Sequence, residues 1–122
     1  MKIYRLEFED GFGPHNQDKL KCYIDYDFFH KKTIEYKSLE EYHSDVIYWI
    51  KNCNHSIDMY ELFCAFVDQN SLLKYIEDAF EFFINNGGKI VEIEIDPLYC
   101  FVAEDKQAFF IYDKIEQKRS LL

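Results

Sequence analysis

The chain has 122 residues, and 14 Lys and Arg against 23 Asp and Glu give it a formal net charge of −9. Ten Tyr and twelve Phe exclude a disordered chain, because such a chain lacks the apolar area to fold. Four Gly and two Pro without a fixed period exclude collagen-like and low-complexity classes. No apolar run approaches the ~18 residues that suggest a membrane span. The length predicts one domain over residues 1–122, since domains typically have ~100–150 residues.

The first predicted element is a half-buried strand over residues 2–9, because apolar and polar residues alternate there. Tyr4, Leu6 and Phe8 would face the core, and Arg5 would share the solvent-exposed face with acidic residues. The segment from Gly11 to Pro14 favours a turn. Residues 22–29, rich in Tyr, Ile and Phe, fit a short second strand.

Two amphipathic helices are predicted in the middle of the chain. Ser38 and Glu41 form a capping box at the start of the first, which ends near residues 52–54. Residues 60–67 are apolar enough for a buried strand or a tight turn. Asn70 or Ser71 caps the second helix, which ends at the segment 85–88, where Gly supplies a left-handed residue.

The last third of the chain predicts three strands. Residues 89–95 alternate strictly, and the segments 99–103 and 107–112 form a hairpin. Residues 113–122 are predicted to be a polar C-terminal tail. This order of elements predicts an α+β fold, an antiparallel or mixed sheet with two main helices packed on one face.

The acidic charge argues against direct nucleic-acid binding, because neutralising phosphates needs clustered Lys and Arg. The same charge suits docking onto a basic protein, where complementary potential speeds association. The N-terminal segment lacks the apolar core of a secretory signal, and four cysteines without such a signal indicate reduced thiols, so we expect a cytoplasmic location and no membrane partner.

The candidate partner-binding residues are acidic or aromatic. Glu92, Glu94 and Asp96 form a predicted acidic row on one face of a strand, where residues of one face repeat every ~6.6–6.8 Å, close to the phosphate spacing of nucleic acid. Glu7 and Glu9 add acidic charge at the first strand. Trp49 is the aromatic candidate, because two adjacent helical residues, here Tyr48 and Trp49, cannot both lie at the centre of one buried stripe.

No catalytic or metal-binding motif is recognisable in the sequence. Cys53 and His55 lack the second ligand pair that a zinc site needs. The chain has no nucleophile elbow, no His-Glu-x-x-His and no P-loop. We therefore predict no metal, no cofactor and no catalytic residue.

The motifs at the two ends of the chain resemble a group of small phage and prophage proteins. They are Tyr4-Arg5-Leu6-Glu7, then Gly11-Phe12-Gly13-Pro14-His15, and later Gln107-Ala108-Phe109-Phe110. Some acidic members of that group look like inhibitors of bacterial defence systems such as CRISPR nucleases. The resemblance implies a stoichiometric inhibitor in the host cytoplasm, with a basic host protein, such as a nuclease complex, as its partner.

A second resemblance is to ADP-ribosyltransferase-like folds. In those folds an Arg or His of the first strand contacts the dinucleotide, and an acid or amide of a late strand contacts the ribose. The matching positions here are Arg5 and Gln107, with Gly11 and Gly13 in the adjoining turn. The resemblance implies a nucleotide site.

The sequence therefore favours a non-catalytic acidic protein that binds and inhibits a nucleic-acid-handling or defence protein. Two alternatives stay open. One is a nucleotide-binding enzyme of the ADP-ribosyltransferase type, and the other is a self-associating structural protein, for instance a homodimer.

Overall fold

The computed structural model describes residues 1–8, 36–37 and 39–121. The predicted strand at 22–29, the Gly11–Gly13 turn, Glu9 and the Ser38 cap lie outside the described residues.

Six strands form one antiparallel sheet in the described part of the chain. The strands are β1 (Lys2–Glu7), β2 (Phe63–Phe66), β3 (Lys89–Ile95), β4 (Cys100–Val102), β5 (Gln107–Phe110) and β6 (Ile115–Ser120). Their order across the sheet is β4-β5-β2-β1-β3-β6, so the first strand is central. The central position of β1 places its side chains between those of β2 and β3.

Three α-helices complete the described fold and confirm the α+β class. They are α1 (His43–Asn52), α2 (Gln69–Ile76) and α3 (Phe80–Asn85). Short 3-10 turns cover Leu39–Tyr42, Met59–Glu61, Glu77–Ala79, Pro97–Tyr99 and Tyr112–Lys114. Among the described residues, every helix is too short or too polar to cross a membrane.

The helices pack on one face of the sheet, as predicted. Leu6 and Ile90 lie directly opposite each other on β1 and β3, and they share a buried cluster with Ile76 of α2 and Phe83 of α3. Phe109 lies on the same face of β5, where α1 covers it. The buried cluster beneath α1 also contains Tyr42, Val46, Ile50, Met59 and Leu62. These two clusters hold the helices against the sheet by burial of apolar area.

The opposite face of the sheet is also buried. Ile3, Ile93, Ile95 and Phe110 have no exposed surface there. The alternation of β1 predicted one solvent-exposed face, and that expectation is wrong, because Ile3, Arg5 and Glu7 on that face are all buried. Charged side chains on that face therefore lie in an apolar setting.

The second predicted helix is divided into α2 and α3 by the turn Glu77–Ala79. Its N-cap is Asp68, whose carboxylate accepts a 2.7 Å hydrogen bond from the Ser71 backbone N–H. The prediction of Asn70 or Ser71 as the cap is wrong, because the helix begins earlier, at Gln69. The helical segment ends as predicted, since Gly87 has a φ of +90°.

The prediction of a polar tail over residues 113–122 is wrong, because β6 pairs with β3 over this segment. The strand was missed because its side chains are almost all exposed, so no apolar alternation marks it. Among the described strands it lies at the edge of the sheet, where it carries Lys118 and Arg119 and pairs through an irregular register next to Ile95. Both features hinder pairing of the edge with another chain.

Replacing Asp68 with Ala tests the helix cap. We expect Asp68→Ala to lower the free energy of unfolding by about 1 kcal/mol, because the Ser71 N–H loses its acceptor. The hydrogen bond from Ser71 lowers the pKa of Asp68, so this contribution is present above the unfolded pKa of about 3.9 and is lost as pH falls through the folded value. Urea unfolding at neutral and acidic pH measures both effects, and an equal loss in Asn70→Ala would contradict the assignment.

Candidate functional site

Arg5 and Glu7 form a buried ion pair on β1. Their relative exposures are 5% and 4%. Arg5 Nε donates to Glu7 Oε2 at 3.1 Å, and Arg5 Nη1 donates to the Cys64 backbone carbonyl at 2.6 Å. The guanidinium also lies 5.0 Å from the centre of the Phe63 ring. Residues i and i+2 of a strand share a face, which brings the two charges together.

Glu7 joins two strands and a turn through its carboxylate. Lys118 Nζ of β6 donates to Glu7 Oε1 at 2.8 Å, and the Tyr112 hydroxyl donates to Oε2 at 3.0 Å. Lys118 Nζ also donates to the Tyr112 hydroxyl at 2.6 Å. Burial lowers the pKa of Lys118, but the hydrogen bonds to Glu7 and Tyr112 outweigh it, so the pKa is raised. We call Arg5, Glu7, Tyr112 and Lys118 the buried charge network.

The exposed strand face predicted for Arg5 and Glu7 is therefore wrong. An alternating Arg and Glu on a strand ordinarily indicate a solvated face. Here both residues are buried, and each charge is satisfied by the other and by its neighbours. The Glu7 side chain is only 5% exposed, so its carboxylate is not accessible to a partner protein.

Arg5 and Gln107 do not form a joint site. The register places Tyr4, Phe66 and Gln107 opposite one another on one face of the sheet, whereas Arg5 projects from the other face. Their strands are also separated by β2, about 10 Å between strand axes. The Gln107 amide instead donates to the Lys37 carbonyl at 2.7 Å and to Asp105 Oδ2 at 2.8 Å.

The structure brings two members of the predicted acidic row together. Glu92 and Glu94 share one face of β3 and line a groove of about 330 Å³. The groove is also lined by Lys2, Gln117, Lys118 and Arg119. Asp96 lies beyond the end of β3, where its carboxylate accepts from the Leu98 N–H at 2.9 Å and caps a 3-10 turn.

Cations neutralise this row. Arg119 Nε donates to Glu92 at 3.0 Å, Lys2 Nζ lies 3.8 Å from the same carboxylate, and the Met1 amino group lies 3.9 Å from Glu94. Partial burial raises the pKa of Glu92, but hydrogen bonds from Arg119 and Tyr4 outweigh it, so the pKa is lowered. Three cationic groups, those of Arg119, Lys2 and the Met1 amino terminus, therefore pair with the two carboxylates, and the groove lacks the acidic potential that the sequence pattern predicted.

Tyr48 is the exposed aromatic residue of α1. It is 71% exposed, whereas Trp49 is half-buried and packs against His55 and Phe101 at ring-centre distances of 4.9 and 6.0 Å. Tyr48 is therefore more exposed than Trp49, which the sequence analysis gave as the aromatic candidate for partner binding. Asp45 lies three residues before Tyr48, so both side chains share one side of the helix.

The exposed carboxylates of α1 and its preceding turn outnumber the exposed lysine of α1, Lys51, which lies one helical turn after Tyr48. Glu40, Glu41 and Asp45 are all exposed. We call these three residues and Tyr48 the α1 outer face. It combines carboxylates with a large aromatic side chain, the pairing of residue types that suits contact with a basic protein.

The described residues contain no group of three or more His, Cys, Asp or Glu side chains arranged to hold a metal ion. Cys53, Cys64 and Cys100 are free thiols.

No family model, no curated protein and no solved structure matches the chain. The phage resemblance and the transferase resemblance both stay predictions.

Removing Glu7 tests the buried charge network. We expect Glu7→Ala to lower the free energy of unfolding by about 3–5 kcal/mol, because Arg5 and Lys118 lose their shared counter-ion. Glu94→Ala is the matched control, since that carboxylate is more exposed and its loss should cost at most about 1 kcal/mol. Urea unfolding of both variants gives the comparison. Equal losses in the two variants would contradict the network's importance.

Proposed function

We propose that this chain is a non-catalytic binding protein that docks on a basic surface of another protein. The observation that carries the proposal is the α1 outer face, where the exposed carboxylate of Asp45 lies one helical turn before a tyrosine that is 71% exposed, and where Glu40 and Glu41 of the preceding turn add exposed negative charge. Large exposed aromatic side chains with neighbouring charges are typical of protein interfaces. The net charge of −9 adds long-range attraction toward a cationic partner.

The distribution of charge supports this choice of surface. Glu92 and Glu7 are engaged by Arg119, Arg5 and Lys118 within the fold. In contrast, Asp45 forms no ion pair with the described residues. An unneutralised carboxylate at the surface keeps its interaction with an incoming cation, so the α1 outer face is favoured over the β3 groove.

The partner class that we propose is a nucleic-acid-handling protein of a host cell, such as a defence nuclease. Proteins that bind nucleic acid carry clustered Lys and Arg for phosphate contacts. An acidic protein can occupy such a cluster and thereby inhibit it. The resemblance to phage proteins favours an inhibitor of this kind.

The test uses affinity capture from bacterial lysate, identification of the captured protein by mass and measurement of its affinity for the purified chain. We expect a basic, nucleic-acid-handling partner whose affinity falls at least about tenfold in the double variant Asp45→Lys/Tyr48→Ala, because a charge pair and an aromatic anchor are lost. Affinity should also fall with rising salt.

The matched control is Glu81→Lys, an equal charge reversal at an exposed residue of α3. It should leave the affinity within about twofold, since it lies outside the proposed surface. Failure to capture a stable partner at low salt, or an unchanged affinity in the α1 double variant, would contradict the proposal.

A further inference from the structure

A second groove lies between the turn Met59–Glu61 and the turn Tyr112–Lys114. Its volume is about 310 Å³. The lining side chains are Ile57, Glu61, Phe63, Ile111, Tyr112 and Asp113. The sequence motifs did not predict this groove, because its residues come from two distant segments that meet only in the folded sheet.

The rings of Phe63 and Tyr112 form the floor of this groove, and contacts within the protein fix both of them. The rings of Phe63 and Tyr112 lie 4.6 Å apart between centres. Arg5 contacts the Phe63 ring at 5.0 Å, and Lys118 lies 5.2 Å from the centre of the Tyr112 ring. Glu7 accepts the hydrogen bond of the Tyr112 hydroxyl. The buried charge network therefore sets the position of both aromatic rings.

The rim of the groove is acidic. Glu61 and Asp113 are exposed, they are the two charged residues among those lining it, and neither forms an ion pair with the described residues. Glu61 Oε1 accepts one hydrogen bond, from the Asp58 N–H at 3.3 Å. This groove thus differs from the one on β3, whose two carboxylates pair with Arg119, Lys2 and the Met1 amino group.

We propose that this groove binds an extended segment of a basic protein in which an apolar side chain stands next to Lys or Arg. The apolar side chain packs on Phe63 and Tyr112, and the cationic neighbour pairs with Asp113 or Glu61. The volume is at the lower end of the ~300–1,000 Å³ range of ligand pockets, which suits a side chain or two better than a large cofactor. This inference rests on the proposed function and names the chemistry of the partner.

The groove lies where two buried clusters meet, because Ile57 and Ile111 belong to the cluster under α1, and Phe63 and Tyr112 pack against the cluster of the opposite sheet face. Met59, which begins one of its two bordering turns, packs in one buried cluster with Val46 and Ile50 of α1. One side of the groove and the α1 outer face are therefore attached to the same cluster. Tyr60, between Met59 and Glu61, is 66% exposed and adds an aromatic side chain at this side of the molecule.

The experiment measures the fluorescence anisotropy of labelled octapeptides at low salt. The first alternates Arg and Leu, the second alternates Arg and Gly, and the third alternates Glu and Leu. We expect the Arg–Leu peptide to bind at least about tenfold more tightly than either of the others, because it alone supplies both cation and apolar side chain. Equal binding of the Arg–Gly peptide would show charge attraction without use of the groove, and it would overturn the inference.

The variant Asp113→Lys tests whether the Arg–Leu peptide binds at this groove. It should weaken the Arg–Leu peptide at least about tenfold, because it reverses the charge at the rim. Glu116→Lys is the matched control, an equal reversal at an exposed residue of β6 outside the groove, and it should change the affinity less than about twofold. Circular dichroism and thermal unfolding verify that both variants fold. Similar effects of the two variants would overturn the inference.

The two proposals fail separately. If the peptides do not bind but the captured partner is still lost in Asp45→Lys/Tyr48→Ala, the groove inference is wrong and the α1 interface stands. If the Arg–Leu peptide binds through Asp113 but no partner depends on the α1 outer face, the proposed interface is wrong, although the groove still binds basic apolar segments.

Discussion

The buried pair of Arg5 and Glu7 is the interaction on which the rest of the structure depends. A charge in an apolar setting is tolerated only when partners replace its lost hydration. Glu7 obtains these partners from β1, from β6 and from the turn after β5. The requirement to satisfy one carboxylate therefore fixes where Tyr112 and Lys118 must lie, and with them the edge strand that carries Lys118.

This arrangement connects the interior of the sheet to the surface. Tyr112 uses its hydroxyl for Glu7 and its ring for contact with Phe63, and the same two rings form the floor of the acid-rimmed groove. The acidic residues of the chain thereby fall into two groups. Glu7 and Glu92 stabilise the fold through internal cations, whereas Asp45, Glu61 and Asp113 keep their charge at the surface. A net charge alone does not distinguish these groups.

Local pattern predicted much of the fold. The alternation over residues 89–95 predicted β3 with its bounds, and the apolar spacing of Tyr42, Val46 and Ile50 predicted α1. The local pattern did not predict the structure where contacts between distant segments determine it. β6 has no apolar alternation because its side chains are almost all exposed, and nothing in the residue types of Arg5 and Glu7 reveals that the fold buries them. The groove was not predictable, since residues 57–63 and 111–113 meet only through the pairing of β2 with β5.

A double-mutant cycle between Glu7→Gln and Tyr112→Phe tests most directly whether the buried charge network fixes the groove floor. Tyr112→Phe removes the hydroxyl donor, and Glu7→Gln replaces the charged acceptor with a neutral one of nearly the same shape. Unfolding free energies of the wild type, the two single variants and the double variant give the coupling energy. We expect a coupling of about 0.5–3 kcal/mol, as for residues of one hydrogen-bond network. Losses that add within about 0.3 kcal/mol would show that the two residues act independently, and they would contradict the account.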